Sequence, residues 1–205
     1  MSETKKNSPQ FAKKNPMIKW FIVHVVVIAV LAAGLFALTK MPKGDTAPKD
    51  TVVYLVRHAE KVTGENVGRD PALTAEGVAR AKILAGLLAK KNITKIYSSD
   101  YIRTRDTAAP TAEMTGIDIG IYNPRHLQEL AETIKSAKGH YLVVGHSNTI
   151  PETVTALGGV GGSPIFEKSE YDRLYVVTIL ADGTVQTDLR RYGVRYVAQD
   201  PVAQE

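Results

Sequence analysis

Cysteine is absent from this 205-residue chain. No disulfide and no thiolate metal site can form, and an extracytoplasmic location is compatible with that. Internal repeats are absent too. Net charge is missing where a nucleic acid would need it. Of 26 Lys and Arg and 21 Asp and Glu, eight and three lie in residues 1–50, so 18 of each remain in 51–205 and cancel. The surplus of +5 belongs to the N-terminal segment and gives no support for nucleic-acid binding.

Polar residues are nearly missing from residues 20–39, where only His24 interrupts an apolar run before Thr39. Twenty helical residues at about 1.5 Å each span roughly 30 Å, the thickness of a bilayer core. The run has no polar face to turn to water, which argues against a buried core helix. Lys5, Lys6, Lys13, Lys14 and Lys19 precede it against the single acid Glu3. That excess predicts a cytoplasmic N-terminus and the bulk of the chain outside, in the periplasm if the cell is Gram-negative. The run is longer than a signal-peptide core, and residues 35–40 make a poor small-x-small cleavage site. The chain thus reads as a basic cytoplasmic tail at 1–19, a transmembrane signal anchor at 20–39, a linker at 40–50, an outer domain at 51–197 and a loose tail at 198–205.

The outer domain alternates strand and helix patterns. Residues 52–56 are apolar and β-branched, the mark of a buried strand. Thr74 is a good N-cap for a helix running to about Lys91, with Val78, Ala81, Ala85 and Leu88 on its inner face. Strands near 93–97, 117–121 and 141–144 alternate with helices near 101–114 and 125–137 and one opened by Pro151. Residues 174–180 and 184–189 flank Asp182-Gly183, a hairpin signal. The pattern predicts an α/β fold, a three-layer sandwich with a mostly parallel mixed sheet flanked by helices, preceded by one transmembrane helix.

Three of these strands end in residues suited to one anion. The first ends in Arg57-His58, the second in Ser98-Ser99-Asp100 with Arg103 one helical turn on, the third in Gly145-His146-Ser147-Asn148. In open α/β sheets, ligands bind at the carboxyl ends of strands. If the three strands are parallel neighbours, two guanidiniums and two imidazoles converge there, with helix N-termini adding partial positive charge. Guanidinium matches phosphoryl oxygens bidentately. The loops at 61–72 and 158–170 are where specificity would reside.

Three motifs in this order resemble those of the histidine phosphatases, the phosphoglycerate-mutase-like superfamily. Leu55-Val56-Arg57-His58-Ala59-Glu60-Lys61 resembles the nucleophile motif in its Ala-Glu-Lys variant. Ser98-Ser99 with Arg103 and Thr107-Ala108 is similar to the Ser-Ser-x-x-x-Arg-x-x-x-Thr-Ala segment. Val143-Val144-Gly145-His146-Ser147 resembles the second-histidine strand, and Leu73-Thr74-x-x-Gly77 adds a weaker match. The resemblance spans roughly 51–192. It implies that His58 is the nucleophile that becomes phosphorylated and that Arg57, Arg103 and His146 hold the transferring phosphoryl group, without a metal or cofactor. The partner implied is a phosphorylated substrate whose identity the sequence does not give.

Many members of the superfamily use a carboxylic acid to protonate the leaving oxygen. Glu129 is the candidate here, but it lies about 200° around the helix from Leu127, facing solvent. Asp100 and Glu152 remain as donors. A site without a strong acid favours aryl, acyl or N-linked phosphates over alkyl ones. Three other readings stand beside hydrolysis: a phosphomutase, a non-catalytic phospho-ligand-binding domain, and an esterase using Ser147. Gly145-His146-Ser147-Asn148-Thr149 nearly matches the nucleophile elbow of α/β-hydrolases, but no histidine follows His146 to complete a triad.

Overall fold

The computed structural model describes residues 50–197. The expected cytoplasmic tail, signal anchor, most of the linker and the 198–205 tail lie outside the described residues. Among the described residues, no helix is long and apolar enough to cross a membrane.

The elements in chain order are β1 (Thr51–Arg57), α1 (Ala75–Leu88), β2 (Lys95–Ser99), α2 (Ile102–Thr115), β3 (Ile119–Tyr122), α3 (Leu127–Ser136), β4 (His140–Gly145), α4 (Thr149–Ala156), β5 (Arg173–Ile179) and β6 (Val185–Arg191). They build one six-stranded sheet in the order β3-β2-β4-β1-β5-β6. β1, β4, β2 and β3 run parallel, while β5 and β6 are antiparallel additions at one side. The mixed, mostly parallel sheet is the expected one. The turn at Asp182-Gly183 joins β5 to β6, with Gly183 at φ +86°.

Side-chain alternation along β1 divides the core into two layers. Val53 and Leu55 pack with Leu130 and Ile134 of α3 and Ile150 and Val154 of α4. Tyr54 and Val56 point the other way, to Leu84 and Leu88 of α1 and Ala108 of α2. A strand covered on both faces reads as an unbroken apolar run, which is why residues 52–56 show no period of two.

Two local expectations need correcting. Val78 is exposed, and Leu84 takes its place in the core together with Gly77, Arg80, Ala81 and Leu88. The cause is Gly77, pulled so close to the Glu60 backbone that a Cβ there would sit 2.2 Å from the Glu60 carbonyl oxygen. With Gly77 against that loop, Val78 is turned about 100° toward water. Pro151 does not open α4. Thr149 does, and Pro151 occupies the third helical position, where its missing N–H is also harmless.

Candidate active site

β4 lies between β1 and β2, so the three expected strand ends meet at one edge of the sheet. Register aligns them: Arg57 pairs with Gly145, and Ser98 with Val144. The crowding there explains Gly145. A Cβ on it would meet the Tyr122 hydroxyl at 2.6 Å and Thr149 Oγ1 at 2.9 Å.

His58 is 3% exposed. Its Nδ1 lies 2.8 Å from the Ala59 carbonyl oxygen. A carbonyl only accepts, so Nδ1 carries the proton and Nε2 keeps its lone pair. Burial first, then Arg57, Arg103 and His146, outweigh the opposing hydrogen bond to Ala59 and together hold the imidazole pKa down to about 2. The ring is therefore neutral at physiological pH. The Thr107 hydroxyl holds the peptide beneath it, accepting from the Ala59 N–H at 2.9 Å and donating to the Arg103 carbonyl at 2.7 Å. That contact gives the Thr-Ala of the second motif its physical meaning: it fastens α2 to the chain just beyond the candidate nucleophile.

Arg103 reaches the site from the first turn of α2. Its NH1 donates to Asp70 Oδ1 at 3.2 Å, and its guanidinium lies 4.4 Å from the Tyr101 ring centroid. Asp70 also accepts from the Ile102 N–H at 3.0 Å, capping a helix whose own N-cap residue, Tyr101, supplies no side-chain bond. Arg103 Nε is buried without a partner among the described residues.

His146 sits directly after β4. Its ring centroid is 5.6 Å from that of His58, and the planes are inclined by 67°. Tyr101 meets it edge-on at 4.9 Å. Its Nε2 lies 2.9 Å from Ser99 Oγ. Burial first, then Arg103, Arg57 and Lys61, outweigh the opposing Asp70 and together hold its pKa down to about 4.

His58, Arg103 and His146 line one cavity of about 480 Å³. Arg57 is not in its wall. The Arg57 NH2 donates to the Glu167 carbonyl at 2.6 Å, and NH1 donates to those of Glu170 and Phe166 at 3.1 and 3.3 Å. The guanidinium also lies 4.1 Å from the Tyr171 ring centroid, and only Nε is unpartnered. Of the two guanidiniums expected to hold a phosphoryl group, Arg103 stands in the cavity wall and Arg57 is engaged with these carbonyls. The loop before β5 returns over the end of β1 and occupies the fork of Arg57.

Two cations that sequence reasoning missed, Lys61 and Arg125, stand in the cavity wall instead. Both were within reach of the strand-end rule. Lys61 ends the nucleophile motif, and Arg125 follows β3, whose carboxyl end lies on the same edge. Glu167, from the expected specificity loop, lines this cavity and a smaller adjoining one of about 320 Å³ that also holds Lys61 and Tyr171.

Glu129 does not reach the site. Its side chain is 76% exposed and pairs with His126 within the first turn of α3. Asp100 is exposed and pairs with Arg105, and Glu152 is not in the cavity wall. Glu60 has a structural partner. Arg80 Nε and NH2 meet its carboxylate at 2.7 to 3.0 Å, and Arg80 also holds the carbonyls of Tyr192 and Val194. Among the described residues, no three His, Asp or Glu side chains cluster as a metal site would.

Residues 53–133 match the model of the histidine phosphatase superfamily, branch 1. Over 85 residues the chain is 40% identical to a Serratia proteamaculans protein named "Probable phosphoglycerate mutase GpmB", a match covering 38% of this chain and 37% of that protein. The chain thus spans under two fifths of the length of that curated relative. Among solved structures, it resembles a protein from Agrobacterium tumefaciens designated a phosphohistidine phosphatase, SixA. They are 26% identical with a TM-score of 0.55, over 70% of this chain and 99% of that one. The protein histidine phosphatase SixA complexed with tungstate shares the fold at 15% identity and a TM-score of 0.53, over 69% of this chain and 97% of that one. The motifs, the strand order that gathers them and these likenesses agree: residues 53–133 match the histidine phosphatase superfamily, and the domain around them is similar to its members.

Proposed function

We propose that this protein is a membrane-anchored phosphatase that hydrolyses a phosphomonoester or related phosphoryl compound through a phosphohistidine on His58. The observation carrying this reading is the lock on Nδ1 by the Ala59 carbonyl, which leaves Nε2 as a bare nucleophile beside Arg103 and His146. Nε2 attacks phosphorus, the ester bond breaks, and the displacement is split into two easier steps. Phosphoryl transfer requires positioning and charge more than covalent help. Arg103, whose guanidinium lines the cavity and is held by Asp70 through NH1, receives equatorial oxygens, and Lys61 and Arg125 add positive charge across the cavity. Water then cleaves the P–N bond and releases phosphate. Tungstate, present in one structure of the same fold, is a tetrahedral oxyanion of the size this cavity admits.

The domain organisation proposed is the one read from the sequence, with residues 20–39 as a signal anchor and the catalytic domain outside the cytoplasm. Good leaving groups are favoured, because Glu129 lies away from the cavity. The curated relative is named a mutase, so transfer of the phosphoryl group to an alcohol acceptor is the second reading.

The test is an aryl phosphate given to the full chain in detergent, with a search for an acid-labile, alkali-stable phosphoenzyme. His58→Ala should abolish it while phosphate binding persists. A phosphoenzyme that survives this change would remove the reading, and product phosphorylated on an added alcohol would favour the mutase.

A further inference from the structure

Ser99 Oγ lies 2.9 Å from His146 Nε2 and 3.1 Å from Thr104 Oγ1. Ser99 and Thr104 are both fully buried. Thr104 Oγ1 is also 2.8 Å from the Ser99 carbonyl oxygen and 2.9 Å from that of Tyr101. Carbonyls only accept, so the single hydroxyl proton of Thr104 goes to one of them. The contact between the two hydroxyls then has one proton available, that of Ser99. Ser99 donates to Thr104 and presents a lone pair to His146. Two lone pairs would repel across 2.9 Å, so Nε2 of His146 carries a proton. Its other nitrogen, Nδ1, has no protein partner among the described residues, and the ring lines the cavity with His58.

We propose that the Ser99–Thr104 hydroxyl pair fixes His146 as the Nε2–H tautomer and thereby makes its Nδ1 the acid–base atom of the reaction. Ser99 and Thr104 are positioning residues, and His146 is the catalytic one. The proposal rests on the phosphohistidine reading and deepens it by supplying the proton transfer that Glu129 is too far away to perform.

The proton balance closes. A phosphoryl monoanion gives its proton to Nδ1 on binding. The imidazolium passes that proton to the departing oxygen as the P–O bond breaks and the bond from phosphorus to His58 Nε2 forms. Nδ1, bare again, takes a proton from the attacking water as the P–N bond breaks, and returns it to the leaving phosphate. The groups that bear on the imidazolium are Arg103 of α2, Arg57 of β1, Lys61 and Asp70. The three cations oppose it, Asp70 supports it, and the bound phosphoryl dianion adds the countercharge it needs.

Nitrogen-15 NMR of histidine-labelled protein reads the tautomer without any substrate. The wild type should show His146 protonated at Nε2. Thr104→Val, nearly isosteric, frees the Ser99 proton for Nε2 and should invert the tautomer to Nδ1–H. Ser99→Ala should give a mixture. A general acid contributes about 10²- to 10⁴-fold, most for poor leaving groups. Thr104→Val should therefore lose at least about 10-fold in kcat on an alkyl phosphate and under about 3-fold on an activated aryl phosphate, with Ser99→Ala losing less than Thr104→Val on the alkyl substrate. Melting curves establish that each variant is folded. An Nδ1–H tautomer in the wild type, an unchanged tautomer in Thr104→Val, or equal losses on both substrates would overturn the proposal. So would Glu167→Gln alone removing alkyl turnover, since a carboxylate would then be the acid. Failure of the phosphohistidine reading itself shows separately, as a phosphoenzyme independent of His58.

Discussion

Acid should destabilise this domain through the same burial that keeps His58 nucleophilic. An unfolded histidine titrates near 6.5, while in the fold His58 is held down to about 2. Above pH 6.5 both states are neutral and the group has no effect on stability. Below it the unfolded chain binds a proton that the folded chain refuses, so stability falls as pH falls, across the window from 6.5 to about 2. At about 1.4 kcal/mol per pH unit, the two units from 6.5 to about pH 4.5 cost about 2.7 kcal/mol. That is a large part of the roughly 5–15 kcal/mol of a typical domain. Urea unfolding at pH 7 and pH 4.5 measures the loss directly, and His58→Gln isolates it, because carboxylate effects are common to both proteins. The variant should lose about 2.7 kcal/mol less than the wild type over this interval. Equal losses would mean that His58 is protonated in the folded state at pH 4.5, and its description as a bare nucleophile would be wrong.

Other consequences follow from particular contacts. Thr107→Val leaves the buried Ala59 N–H without its acceptor, which should cost about 1–3 kcal/mol and slow phosphoenzyme formation. An unchanged melting temperature and rate would show that this clasp does not support the nucleophile. Gly77→Ala drives a Cβ to 2.2 Å from the Glu60 oxygen, whereas a Cβ on Gly86 of the same helix meets nothing within 4 Å. Thermal melting should show the first destabilised by about 2 kcal/mol or more and the second stabilised by about 0.5–1 kcal/mol, and the opposite order would refute the docking of α1. Arg103→Ala should lower kcat/KM by about 10²- to 10³-fold with the fold retained; a loss below 10-fold would move phosphoryl recognition elsewhere. Arg57→Lys loses the fork that holds three carbonyls of residues 166–170. Amide exchange across 166–171 should quicken several-fold, and unchanged protection would deny Arg57 its hold on that loop.

Much of this was legible in the chain itself. The order of elements, the hairpin at Asp182-Gly183 and the Thr74 cap follow from local rules of periodicity and turn chemistry. Thr74 accepts from the Gly77 N–H at 3.2 Å. The convergence of His58, Arg103 and His146 was legible too, because a parallel sheet forces strand ends to one edge. The weaker expectations failed where distant segments decide. Nothing near Val78 announces that Gly77 must touch Glu60. Nothing near Arg57 announces that a loop more than a hundred residues away takes its hydrogen bonds. The sequence by itself determined which side chains could meet an anion, since backbone alternation and strand order are encoded residue by residue. Only the tertiary structure decided which of them face the cavity and which are engaged elsewhere, because a hydrogen bond is formed by whichever acceptor the whole chain delivers.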